Sequence, residues 1–194
     1  MNAASPAAVR RPPPEVTPVA WTELATPLGP LYLAASPEGL LAVGALESDA
    51  TAFTERLEDE LGARFELGRG ASPTLDWAVA ELDAYFAGAG REFTVPLDRR
   101  LMRGAFTAQA LETLRGVPWG HLVSYSELGR RCGAPRAARA VGHACATNPL
   151  SIVIPCHRVV HANGGIGGYG GASRGIAYKR ALLAIEGVVF PTPR

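Results

Sequence analysis

Apolar positions alternate or run together through the first hundred residues in short blocks, and turn residues separate the blocks. Residues 21–26 and 30–35 read as strands joined by Pro27-Leu28-Gly29, and residues 40–45 extend the meander after Pro37-Glu38-Gly39. The period then changes. Residues 49–61 and 74–86 place apolar side chains at helical spacing behind Asp49 and Thr74 as caps, and residues 93–97 supply a further short strand. This pattern predicts an α/β domain built on an antiparallel sheet.

From Arg103 onward the pattern is mainly helical. Residues 107–115 form a helix that Gly116 and Pro118 end. Ser124-Tyr125-Ser126-Glu127 fits a capping box, residues 128–132 a short helix, Gly133-Ala134-Pro135 a turn, and residues 136–146 a second helix. Helix, tight turn, helix is the outline of a helix-turn-helix. The predicted organisation is a disordered tail over residues 1–18, an α/β domain over 19–103 and a mainly α domain over 104–194.

Composition narrows the class of protein. Hydrophobic residues make up 47% of the 194, yet no apolar run approaches the roughly 18 residues of a membrane helix. The first 18 residues are rich in Ala, Pro and Arg and lack the apolar stretch of a secretory signal. Cys132, Cys145 and Cys156 are odd in number and confined to the second half, as expected of a chain in a reducing cytoplasm.

Net charge adds more once the chain is divided. Residues 1–98 hold 6 Lys+Arg against 15 Asp+Glu, a net −9, whereas residues 99–194 hold 13 against 3, a net +10. A half that basic is the footprint of a nucleic-acid-binding domain. Its second short helix is nearly bare: Ala137, Ala138, Ala140, Gly142 and Ala144 surround a single projecting Arg139. Those positions are too small to read base edges in a major groove. They suit close approach to a minor groove with Arg139 inserted.

The run from Ile152 to Val160 delivers a cysteine, a histidine and an arginine in succession. Pro155-Cys156-His157-Arg158-Val159, preceded by Asn148-Pro149 and by Arg139-Ala140-Val141-Gly142, resembles the O6-alkylguanine-DNA alkyltransferase family, closely over residues 117–187. The resemblance implies a ribonuclease H-like first domain and a winged-helix-like second one. It also implies direct repair of double-stranded DNA, in which an alkyl group moves irreversibly from O6-alkylguanine, or O4-alkylthymine, to Cys156 after the nucleotide flips out through the minor groove. By the same resemblance His157 and Glu186 form a water-linked relay and Asn148 holds a hinge. Arg139 fills the space of the flipped nucleotide, while Tyr125 crowds the phosphate and contacts the base. The base pocket is then lined by Tyr169, Val159, Gly170 and Ser151. Gly170 stands where some relatives carry a hydroxyl, so one hydrogen bond is lost and a more mobile loop is expected. Some relatives bind zinc in the first domain; here that domain has no Cys or His, so no metal is carried over, and no cofactor is expected.

The residues argue similar chemistry by themselves. A thiol near its ordinary pKa is a poor nucleophile, so Cys156 needs its pKa lowered. On an extended segment the adjacent His157 points away from it, so a bridging water and an orienting carboxylate such as Glu186 are required. Cys132 and Cys145, among apolar neighbours, read as inert, and His143 and His161 as ordinary. Gly165-x-Gly167-x-x-Gly170 mimics a dinucleotide fingerprint but lacks the preceding strand and the repeated parallel unit. Three alternatives remain: a non-catalytic lesion sensor of the same fold, a thiol hydrolase that ignores DNA, and a DNA-binding regulator. The expected working form is a monomer without an obligate protein partner.

Overall fold

Thr26, Pro27, Leu28 and Gly29 reverse the chain between β1 (Thr17–Thr26) and β2 (Gly29–Ser36). Gly29 takes φ 107°, and the Thr26 hydroxyl donates to Gly29 O at 2.6 Å while accepting from Leu28 N at 3.2 Å. This computed structural model describes residues 16–62, 65–170 and 173–190. Most of the expected tail lies outside the described residues, but Thr17 and Pro18 belong to β1 and are strand.

After β3 (Gly39–Gly44), helix α1 (Ala50–Leu61) crosses to β4 (Phe65–Arg69), giving the strand order β3-β2-β1-β4. β4 runs parallel to β1, so the expected antiparallel sheet is a mixed one. Residues 93–97 form no strand; Leu97 makes a single bridge to Leu40. Helix α2 (Pro73–Phe86) starts one residue earlier than expected because Ser72, not Thr74, accepts from Leu75 N at 3.2 Å, with Pro73 in the first turn.

β2 and β3 are buried on both faces, which explains their continuous apolar runs. One set of alternate residues, including Tyr32, Ala34 and Leu41, packs on Phe53 and Leu57 of α1. The opposite set, including Leu31, Leu33 and Leu40, packs on Leu75, Ala78 and Leu82 of α2 and joins the core of the second half. That second half contains α3 (Ala105–Arg115), β5 (Val123–Ser124), α4 (Tyr125–Arg131), α5 (Ala138–Ala146), β6 (Val159–Val160) and α6 (Ser173–Ile185). Ser124 caps α4 by accepting from Glu127 N at 3.1 Å, as the box predicts, and Gly133 turns the chain toward α5 at φ 72°. α4 begins at Tyr125 and α5 at Ala138, bounds that differ from the expected 128 and 136 by two or three residues. No helix among the described residues is long and apolar enough to cross a membrane.

Candidate active site

The segment leading to Cys156 is held in an unfavourable shape. Ile152, fully buried and β-branched, sits at φ 74°, a conformation that costs about 1–3 kcal/mol and persists only where its surroundings impose it. Asn148 supplies much of that restraint. Its Oδ1 accepts from Leu150 N at 3.1 Å, and its Nδ2 donates to Ile154 O at 2.9 Å and to Cys156 Sγ at 3.2 Å. The first half braces the same segment, since Val43 N at the free edge of β3 donates to Pro149 O at 2.8 Å.

Residues Cys156–Arg158 wind as a 3-10 turn, which corrects the expectation of an extended segment. Three residues per turn send consecutive side chains about 120° apart. Cys156 therefore reaches a cavity wall, while His157 and Arg158 turn inward onto Glu186.

That inward cluster is closed to solvent. His157 Nε2 lies 2.6 Å from Glu186 Oε1, and Arg158 donates to both carboxylate oxygens at 2.9 to 3.2 Å. Gly120 N adds a contact to Oε2 at 3.2 Å. Burial alone would raise the Glu186 pKa, but the bonds from His157 and Arg158 hold it down to about 2. Burial pushes His157 below its usual value, so its ring rests neutral, and its Nδ1 is buried without a protein partner. Tyr85, at the end of α2, donates to Glu186 Oε1 at 2.9 Å. The first domain therefore contributes a side chain to the buried cluster.

Cys156 lines a cavity of about 780 Å³ at the seam between the two halves, with Asn148, Ser151, Cys145, Tyr169 and Gly170 also on its wall. The thiol pKa is raised, not lowered as expected: burial outweighs the Asn148 hydrogen bond and the nearby Lys179 charge, both of which favour the thiolate. Lys179 is itself fully buried, its Nζ bonded to Val159 O at 2.5 Å, and burial brings its pKa down to about 8. Val159, expected in the base pocket, is not on this wall; it is fully buried in β6. Tyr169 is buried, its ring stacked 6.1 Å from Tyr178. Cys132 is buried away from the cavity, whereas Cys145 shares it, and burial raises the Cys145 pKa as it does that of Cys156.

Gly170 sits at φ 56°, and a Cβ there would overlap the Leu46 side chain of the first half. Leu46 fills the space, so the glycine fits a close contact and does not simply mark a lost hydrogen bond. Gly170→Ala is expected to cost about 1–2 kcal/mol in urea unfolding, through the left-handed conformation and the displaced leucine.

The other expected residues lie at the start of α4 and on α5. Arg139 is exposed on α5, with Ala137 at its cap and Ala138 in its first turn. Tyr125 opens α4 half-buried, beside Gly142 and Gly167, with its ring 5.3 Å from that of His161. Burial pushes the Tyr125 phenol up to about 12, so it stays a proton donor.

Two residues escaped the sequence reading. Gly175, Tyr178, Lys179, Leu182, Leu183 and Glu186 are all buried at helical spacing along α6 and just beyond it. That stripe was the available signal for Lys179. Tyr85 likewise lies on the buried stripe of α2 with Ala78 and Leu82.

Comparison with known proteins follows the same division of the chain. The family model for the 6-O-methylguanine DNA methyltransferase ribonuclease-like domain matches residues 19–99, and that for the 6-O-methylguanine DNA methyltransferase DNA binding domain matches residues 105–188. The chain is 40% identical to a methylated-DNA–protein-cysteine methyltransferase of Mycobacterium tuberculosis over 162 residues, 83% of this chain and 88% of that protein. It is 40% identical to the Homo sapiens protein of the same description over 171 residues, 86% of this chain and 79% of that one. The crystal structure of the Mycobacterium tuberculosis O6-methylguanine methyltransferase superposes with a TM-score of 0.71 at 38% identity, covering 90% of this chain and 96% of that one. The structure of the Mycobacterium tuberculosis OGT in complex with DNA gives 0.71 at 37% identity over 87% of this chain and 93% of that one.

Proposed function

The chain belongs to the 6-O-methylguanine DNA methyltransferase family, and from that premise we propose that it repairs duplex DNA by moving the alkyl group of O6-alkylguanine onto Cys156. The observation that carries the assignment of the acceptor is the Cys156 thiol on the wall of the cavity, held by Asn148 at 3.2 Å and backed by the buried His157–Glu186 pair.

DNA docks on α5, whose small residues admit the minor groove and whose Arg139 enters the stack as the damaged nucleotide leaves it. Flipping costs a few kcal/mol of unstacking, which backbone contacts from the basic half offset. Tyr125 contacts the extruded base, and Tyr169, Gly170 and Ser151 line its pocket. Ser151 is small, leaving room for alkyl groups larger than methyl and for O4-alkylthymine.

The thiol is protonated at rest, so its proton leaves only as the substrate arrives. It passes through a bridging water to the neutral His157, whose charge Glu186 then balances. The S–C bond forms as the C–O6 bond breaks, and the electron pair of that bond leaves with guanine, which takes up a proton. The product is a thioether. No further group in the site attacks it, so each chain reacts once.

Mixing the protein with duplex DNA bearing one O6-methylguanine is expected to replace one hydrogen by one methyl group in the intact mass, localised to the Cys156 peptide and never exceeding one per chain. Tight lesion binding without mass gain would instead identify a sensor. Multiple turnover would exclude single use.

A further inference from the structure

Tyr85 is the largest fully buried side chain among the described residues, and it comes from α2 in the acidic first half. Its ring is wedged against Trp119 at 5.0 Å and Phe86 at 5.3 Å, a site in which phenylalanine would pack equally well. Burying a hydroxyl costs free energy unless it is bonded, so the phenol oxygen needs a partner. That partner is Glu186 Oε1 at 2.9 Å, and the phenol oxygen also lies 3.4 Å from His157 Nε2.

We propose that Tyr85 is a positioning residue for the His157–Glu186 pair, so that the first domain takes part in setting the proton relay as well as bracing it. The inference rests on the relay described above. A phenol has one proton, and here it goes to the carboxylate. His157 Nε2 then faces only acceptors, Glu186 Oε1 and the Tyr85 oxygen, so Nε2 carries the imidazole hydrogen and the unpartnered Nδ1 is left as the base. The donated bond also tempers the basicity of Glu186, and with it the pull that the carboxylate exerts on a proton at His157.

The groups facing His157 are Tyr85 from α2, Glu186 beyond α6, Lys179 from α6 and its neighbour Arg158. Tyr85→Phe removes one bond and leaves the three charged groups in place. Single-turnover transfer from O6-methylguanine duplex, followed from about pH 5 to 9 in the full chain, is expected to slow about five- to tenfold. The acid limb of its pH profile moves to higher pH, because a more basic Glu186 keeps His157 protonated longer. Nitrogen-15 spectra of the imidazole provide a second measurement that does not depend on rate: Glu186 Oε1 keeps the hydrogen on Nε2 in both proteins, while the pH at which the ring takes up its second proton is higher in the variant.

Glu186→Gln is run alongside. If Tyr85→Phe keeps the wild-type rate, acid limb and imidazole titration while Glu186→Gln is slow, Tyr85 is packing only and the relay stands. A Tyr85→Phe rate loss with an unmoved limb and imidazole titration overturns the proposal in favour of a structural role. If Glu186→Gln also transfers at the wild-type rate, the relay itself fails.

Discussion

Cys156→Ser is expected to abolish methyl transfer, by at least about a thousandfold, while the protein continues to bind the lesion. The substitution changes one atom in a buried site whose neighbours stay satisfied, because Asn148 Nδ2, now 3.2 Å from sulfur, donates equally well to a hydroxyl oxygen. Chemistry is what changes. A thiol whose pKa is already raised by burial still yields a thiolate within reach of a relay, whereas an alcohol in the same place does not ionise near neutral pH. Intact-mass measurement reads the loss, and a gel-shift comparison of lesion-bearing with undamaged duplex reads the retained binding. A serine variant that still gained a methyl group would move the acceptor elsewhere. Cys145 is the poorer candidate: it shares the cavity, but the Asn148 hydrogen bond goes to Cys156, and His157 of the His157–Glu186 pair follows Cys156 directly in the chain.

The sequence made the second half easier to read than the first, because its informative contacts are local. The capping box at Ser124, the bare surface of residues 136–146 and the run through Cys156 each lie within a few neighbouring positions. Asn148 reaches Cys156 across only eight residues. What stayed hidden depends on pairing between distant segments. β4 is a five-residue edge strand with an exposed Gly68, too weakly patterned to stand out, and its parallel pairing with β1 is set by the crossover through α1. Tyr85 meets Glu186 across 101 positions, and Leu46 meets Gly170 across a seam whose existence the composition of neither half reveals. Lys179 was passed over because charged residues are seldom fully buried. Its place on the buried stripe of α6 outweighs that expectation, and a carbonyl at Val159 satisfies the ammonium group.

Glu186 is where stability and chemistry meet most tightly, so its replacement has the second large effect. Glu186→Leu leaves the Arg158 guanidinium, nearly solvent-free, without its counter-charge, and strands the Tyr85 hydroxyl and the Gly120 N–H. Breaking such a buried pair by removing one partner costs about 3–5 kcal/mol, a large part of the stability of a domain this size. Glu186→Gln keeps the shape and some of the hydrogen bonds and is expected to cost less, while still slowing transfer. The pH dependence separates the charge from the packing. In the folded chain the Glu186 pKa is about 2, below its ordinary 4.5. A carboxylate depressed by folding contributes stability that is present above about pH 4.5 and is lost as pH falls toward 2. His157, held neutral by burial below its ordinary 6.5, adds a loss of the same sign that begins as pH falls through that value. Urea midpoints measured across acid pH should therefore fall more steeply for the wild type than for Glu186→Gln, with the two curves converging at the acid end. Parallel curves would mean that folding leaves the Glu186 pKa unshifted, whereas a wild-type curve that gained on Glu186→Gln toward acid pH would mean a carboxyl protonated in the fold, unable to balance the charge on His157 during transfer.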